Sequence, residues 1–229
     1  MLGIIGAMNS EVEAIYAQMT SKEIIESNGL KFYKGQLFSK DVVVIQCGIG
    51  KVNAALCTQL LILKFNVEKI INTGIAGATG KGLNIYDFVV STSTVYHDFD
   101  TQFFGYKLGQ VPGLPEKFEA DSQMVNKALE IFNNSDLSKN HKISKGLIAS
   151  CDQFIAGCEK KDFIVKNFSP MCVEMEGCAI AHTCYKNNIP FVIIRCMSDC
   201  ADDTVQTTYS EDEASSISSK FLLEFVKNY

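Results

Sequence analysis

Short β-branched runs alternate with helix-period stretches along almost the whole chain, and this alternation limits the possible folds more than any other feature. LGIIGA (2–7) reads as a strand and Ser10–Met19 as a helix, with Ser10 as its N-cap. Leu30–Phe38 and Val42–Cys47 read as two strands joined by a turn at 39–41. Lys51–Phe65 has the spacing of an amphipathic helix. Lys69–Asn72 begins a strand that runs out into a loop over Thr73–Gly77, and Phe88–Tyr96 is a further strand. Helix Ser122–Asn133, strand Lys145–Ala149, helix Lys160–Asn167, strand Met171–Val173, helix Gly177–Asn187, strand Phe191–Cys196 and helix Glu211–Lys227 complete the series. No repeat, low-complexity tract or linker interrupts it. The expectation is one α/β domain over residues 1–229, a three-layer α/β/α arrangement around a twisted, mixed and mostly parallel sheet.

One long connection stands out. Residues 97–115 (HDFDTQFFGYKLGQVPGLP) are aromatic and rich in glycine and proline, and loops of that length are often functional.

Charge narrows the class of partner. Lys and Arg number 21 against 26 Asp and Glu, a formal net charge of −5, whereas a protein that binds duplexes or anionic membranes usually presents a basic face. Neither nucleic acid nor membrane is expected as a partner; a small molecule is. Arg195 is the sole arginine, so a phosphate site built on several rigid guanidinium forks is not available. The nine cysteines are odd in number, contain no C-x-x-C and sit mostly in apolar runs. They read as reduced, buried thiols of a cytoplasmic protein. The amino-terminal segment lacks a basic flank and carries Glu11 early, unlike a signal peptide, and no other segment is long enough to cross a bilayer.

In open α/β sheets, ligands bind beyond the carboxyl ends of strands. Glu11 follows LGIIGAM, Glu174 and Glu176 flank the end of MCV, and Ser198-Asp199 ends FVIIRCM. Gly48-Ile49-Gly50 and Gly74…Gly77 follow two other strands and leave the backbone open to a ligand. Convergence of Glu11, Glu176 and Asp199 would suit cleavage of a glycosidic bond. One carboxyl group protonates the leaving group, another handles water, and the charge stabilises an oxocarbenium-like transition state. The alternative is that each acid is a solvated strand end. Arg195, inside an apolar strand, needs a carboxylate partner, and Glu11 and Glu174 are the candidates.

Weaker constellations have plainer readings. Gly48–Lys51 before a helix suggests a phosphate cradle but lacks the rest of a Walker or dinucleotide fingerprint. His97-Asp98-Phe99-Asp100 suggests a metal site without a further histidine, and Cys151-Asp152 a nucleophile with no histidine nearby in sequence. A structural turn, a hydrogen-bonded loop and a packed thiol are preferred.

The strand ends carry a family resemblance. GIIGAMNSEV, CGIGKVNAA, INTGIAGA, YHDFD, FGYKLGQVPG, SCDQFI, VEMEGCAIAH and RCMSDCAD occur in order over nearly the whole chain, with VEMEG followed by R-x-x-SD the most telling. The chain resembles the bacterial 5′-methylthioadenosine/S-adenosylhomocysteine nucleosidases, which have the nucleoside phosphorylase-like fold. The resemblance implies that Asp199 protonates N7 of adenine and that Glu11 orients and activates water near Arg195. It implies that Glu176 and Met175 hold the ribose, that Phe154 stacks on adenine and that the Ile155 backbone meets the base edge. Met8, Ile49 and Tyr209 would line the 5′-alkylthio pocket, and Glu174, Ile75 and Ser198 complete the substrate-binding set. Phe104, Tyr106 and Pro112, in the 97–115 loop, would serve a neighbouring subunit's site, which implies a homodimer. The family needs no metal and no organic cofactor.

The chain departs from the family at three positions. Ile75 stands where serine is usual, Cys151 replaces the usual glycine, and Tyr209 replaces phenylalanine. Two other readings stand beside this one: a phosphate-dependent nucleoside phosphorylase of the same superfamily, and, with Ile75 as its cue, a nucleoside-binding sensor that has lost catalysis. Hydrolytic relatives acting on futalosine or AMP are further candidates, although AMP calls for a cationic 5′ pocket.

Overall fold

A computed structural model describes residues 1–229, apart from the side chain of Thr208. Ten strands and seven helices alternate: β1 (Leu2–Gly6), α1 (Asn9–Ala17), β2 (Thr20–Ser27), β3 (Leu30–Leu37), β4 (Lys40–Gln46), α2 (Lys51–Phe65), β5 (Lys69–Ala78), β6 (Phe88–Tyr96), β7 (Phe118–Glu119), α3 (Ser122–Asn133), β8 (Ile143–Ser150), α4 (Cys158–Phe168), β9 (Cys172–Glu174), α5 (Gly177–Asn187), β10 (Phe191–Asp199), α6 (Val205–Thr208) and α7 (Glu211–Asn228). All strands join one mixed sheet in the order β10-β6-β8-β9-β5-β1-β4-β3-β2, with β7 beside β6.

Helices cover both faces. Ala54, Cys57, Leu61 and Phe65 of α2 pack with Cys178, Ile180, Ala181 and Cys184 of α5 in one apolar core. On the opposite side Val12 and Ile15 of α1, Met124 and Phe132 of α3, and Phe221 and Phe225 of α7 form the other. The layered mixed α/β architecture is the one expected, and its pairing adds a feature that a linear alternation does not reveal. β5 and β10 also pair, in parallel, so β5, β10, β6, β8 and β9 close a circuit. This draws the ends of β1, β5, β9 and β10 around one space.

Several boundaries differ from expectation. β2 (TSKEIIES) has no clear apolar alternation and is almost wholly exposed, an edge strand held by β3 rather than by burial. Thr73–Gly77 is not a loop: β5 continues to Ala78, paired with β10 and then β9. Its glycines serve close approach rather than a turn. A Cβ at Gly74 would fall on Arg195 Nη1 and Glu11 Oε1. Ser10 lies inside α1, whose N-cap is Met8; Glu11 does the capping, its Oε2 accepting from the Met8 N–H at 3.0 Å. The 97–115 segment is loop apart from a short 3₁₀ turn, Gln102–Phe104. Among the described residues no helix is long and apolar enough to cross a membrane.

Candidate active site

Glu11 is almost fully buried, 2% exposed, and its carboxylate is held from two strands. Oε2 accepts from Ala7 N–H at 2.7 Å as well as from Met8, just past β1, and Oε1 accepts from Ile75 N–H of β5 at 3.0 Å. Burial raises its pKa; Arg195 and these backbone donors oppose the rise. The donor at position 75 is the main chain, so isoleucine there leaves this hydrogen bond in place.

Asp199 ends β10 beside an irregularity. Met197 and Asp199, two residues apart, face Ala76 and Gly77, one residue apart, so β10 carries one extra residue. Such bulges re-aim side chains and recur next to active sites. Ala201 N–H donates to Asp199 Oδ1 at 2.7 Å and Ser198 Oγ to Oδ2 at 2.8 Å. The side chain is 1% exposed, and burial raises its pKa against those two donors.

Glu174 and Glu176 lie two residues apart and have different surroundings. Glu174 Oε2 accepts from Glu176 N–H at 3.0 Å, from Gly177 N–H at 2.7 Å and from Arg195 Nη2; Oε1 accepts from Ser150 Oγ. With its oxygens so engaged, Glu174 acts as a bracket for Arg195 and the start of α5, and it also forms part of the cleft wall. Glu176 has fewer partners: Oε1 accepts from Gly50 N–H at 2.9 Å, and Oε2 is 3.5 Å from Arg195 Nη2. Burial and the neighbouring Glu174 push its pKa up to about 7, against the pull of Arg195.

Arg195 is fully buried. It pairs with Glu174, contacts Glu176 more loosely and donates to Asn72 Oδ1 at 2.7 Å. Of the two expected partners, Glu174 makes the ion pair, and Glu11 stands near enough to act through its charge. Arg195 is not in the cleft wall. It sits behind the carboxylates, so any part it plays in catalysis is through them.

These groups surround an open cleft of about 520 Å³ lined by Ala7, Met8, Glu11, Ile49, Ile75, Ala76, Gly77, Phe154, Val173, Glu174, Met175, Glu176, Ser198, Asp199 and Tyr209. A smaller lobe of about 250 Å³ continues past Phe154 and Asp199 to Gln153 and Ile155. The structure thus brings together Glu11, Glu176, Asp199, Met8, Ile49, Ile75, Phe154, Ile155, Met175, Ser198 and Tyr209. Phe154 and Tyr209 meet edge to face, ring centroids 5.6 Å apart, at its mouth. Phe104, Tyr106 and Pro112 do not line this chain's cleft; Phe104 and Pro112 are exposed. Ser150 and Asn72, which hold Glu174 and Arg195, were not singled out from the sequence. Small polar residues in buried strands were the available signal.

The weaker constellations also resolve. Cys151 is buried, its thiol pushed up to about 12 chiefly by burial, and it donates to the Gln153 carbonyl, as a packed thiol would. All nine cysteines are free, and seven of them are buried. Among the described residues no three His, Cys, Asp or Glu side chains are grouped to hold a metal ion.

Comparison with known proteins places the chain in a family. Residues 1–227 match the phosphorylase superfamily. The 5′-methylthioadenosine/S-adenosylhomocysteine nucleosidase of Staphylococcus saprophyticus is 43% identical over 230 residues, with 99% of each chain covered. The Neisseria meningitidis nucleosidase of the same name, solved in complex with methylthio-immucillin-A, has a TM-score of 0.95 at 38% identity and covers 100% of this chain with 99% of its own. A futalosine hydrolase of Helicobacter pylori has a TM-score of 0.93 at 33% identity, covering 100% of this chain and 97% of that one. The chain belongs to the 5′-methylthioadenosine/S-adenosylhomocysteine nucleosidase family of the phosphorylase superfamily.

Proposed function

We propose that the chain is a hydrolase that cleaves the N-glycosidic bond of 5′-methylthioadenosine and S-adenosylhomocysteine, releasing adenine and the thioribose product. The observation that carries hydrolysis over phosphorolysis is the cleft wall: four carboxylates (Glu11, Glu174, Glu176 and Asp199) and neither lysine nor arginine among its described residues. A phosphate dianion would meet like charge there, and the sole arginine is turned away toward Glu174 and Asn72. Neutral water meets no such barrier, and the negative wall favours the positive charge that grows on the ribosyl ring.

The roles then follow. Adenine stacks on Phe154 with its edge on the Ile155 backbone, and the protonated Asp199 carboxyl faces N7. As the bond to the sugar breaks, its electron pair passes to the base and the Asp199 proton goes to N7, so adenine leaves neutral. Glu11, fixed by three backbone N–H groups, orients the water and takes its proton as the oxygen adds to the anomeric carbon. Glu176 and the Met175 backbone hold the ribose hydroxyls. Met8, Ile49 and Tyr209 surround the 5′-alkylthio group, an apolar environment that disfavours the phosphate of AMP. Residues 1–229 act as one domain in a cytoplasmic homodimer, with Phe104, Tyr106 and Pro112 reaching the neighbouring cleft.

A substrate panel tests this reading. Initial rates of base release from 5′-methylthioadenosine and S-adenosylhomocysteine should exceed those from AMP and futalosine. A preference for futalosine would reassign the substrate while keeping the reaction. Saturable nucleoside binding without release would make the protein a sensor.

A further inference from the structure

Three motifs that the reaction does not use meet at one point. Gly50-Lys51 opens α2, His97-Asp98 follows β6, and Cys151-Asp152 follows β8. Lys51 Nζ lies 2.8 and 2.6 Å from the two Asp98 carboxylate oxygens and 3.6 Å from Asp152 Oδ2. The main chain closes the circuit: Lys51 N–H donates to Asp152 Oδ1 at 2.8 Å, and Asp152 N–H donates to Asp98 Oδ2 at 3.1 Å. The ammonium also stands 5.4 Å from the centroid of the Tyr96 ring. The Lys51 and Asp98 side chains are 22% and 19% exposed, although Asp98 shows its main chain to solvent, so solvent screens their attraction in part. These contacts occupy the Lys51 ammonium and the Asp98 carboxylate, which argues against the phosphate and metal roles considered for them.

Two arms of the circuit end at the cleft. One residue before Lys51, Gly50 N–H holds Glu176 Oε1. Gly50 has φ +98°, a conformation suited to glycine, and this turn aims two successive N–H groups at two different carboxylates. Two and three residues beyond Asp152 come Phe154 and Ile155, walls of the base-binding lobe. The third arm, Asp98, is the second residue of the 97–115 loop. None of the three charged residues lines the cleft.

We propose that Lys51, clasped between Asp98 and Asp152, is a positioning residue that sets the base-binding loop and Glu176 in register with one another. The inference rests on the nucleosidase reading of the cleft. Without the clasp, the 151–157 loop must lose more freedom when the base docks, so binding weakens while the acid and water-handling groups stay in place. The effect therefore falls on affinity for the base and on KM more than on kcat.

Lys51→Met tests this, with adenine affinity read by calorimetry and KM and kcat for 5′-methylthioadenosine read separately. The expected result is about a tenfold loss of adenine affinity with a parallel rise in KM and kcat within about twofold, largely restored by Lys51→Arg. Asp98→Asn, which keeps shape, should give the same split and serves alone if Lys51→Met does not fold. The double variant should be no worse than Lys51→Met. Unchanged adenine affinity and KM, or additive losses in the double variant, would overturn the clasp. Failure of the underlying reading would look different: the unaltered protein would bind nucleoside and release no adenine.

Discussion

Asp199 holds two donors, the Ala201 N–H and the Ser198 hydroxyl, and is itself almost fully buried at the wall of the cleft. Asp199→Asn keeps that shape, and the Ser198 hydroxyl can rotate to accept from the new amide, so the fold should persist. The transferable proton is lost, and kcat should fall by about 10²–10⁴-fold, the usual range for a general acid, with an unchanged circular dichroism spectrum. Full activity would remove Asp199 from the reaction. Arg195 is the opposite case: Arg195→Met leaves Glu174, Glu176 and Glu11 clustered without their cation. Breaking one side of a buried ion pair costs about 3–5 kcal/mol, so Tm should drop by roughly 6–20 °C. A Tm within a degree or two of the parent would mean that the carboxylates shed their charge instead. That Arg195 needs a buried acid was legible from one charge in the run FVIIRCM. Which acid was not, because Glu11 and Glu174 both follow strand ends and only the pairing of β10 and β9 with β5 sets Glu174 against the guanidinium and leaves Glu11 to act through its charge.

At the scale of elements, Glu176 occupies the N-cap of α5 beside Glu174 and Arg195, and its protonation is linked to folding. A carboxyl group raised from 4.5 to about 7 binds its proton more tightly in the folded state than in the unfolded chain. Its contribution is therefore largest at low pH, is lost as pH rises from about 4.5 to about 7, and is constant above that. Glu176→Gln should remove this slope: the Tm difference between variant and parent should shift in the variant's favour across that window. A pH-independent difference would show that Glu176 does not titrate there. α3, with its apolar residues on one face, and β6, a nearly unbroken buried run, were readable in the chain because burial selects them. β2 was not, since an exposed edge strand is selected by its partner. Nor was the full length of β5, where Gly74 and Gly77 look like turn residues but provide room for Arg195, Glu11 and Asp199. The β10 bulge that aims Asp199 leaves no mark in composition.

For the whole molecule, the closed circuit of β5, β10, β6, β8 and β9 is what turns separate strand ends into one cleft, and sequence order does not encode it. The family resemblance implied a shared site at those strand ends, but not the circuit that forms it. The exposed apolar side chains Val52, Leu56 and Leu63 of α2, with Phe103 and Phe104 of the long loop, are those a second subunit would cover. Sedimentation should give twice the chain mass of 25.3 kDa, and Phe104→Asp should raise KM, since the proposed contact lies in the neighbouring cleft. A monomer with full activity would remove the loop from the site. The central claim is that an acid-lined cleft free of cations delivers water, and not phosphate, to a nucleoside. Adenine release from 5′-methylthioadenosine in phosphate-free buffer tests it most directly. The account predicts many turnovers at a rate that added phosphate does not increase, and release that begins only when phosphate is supplied would contradict it.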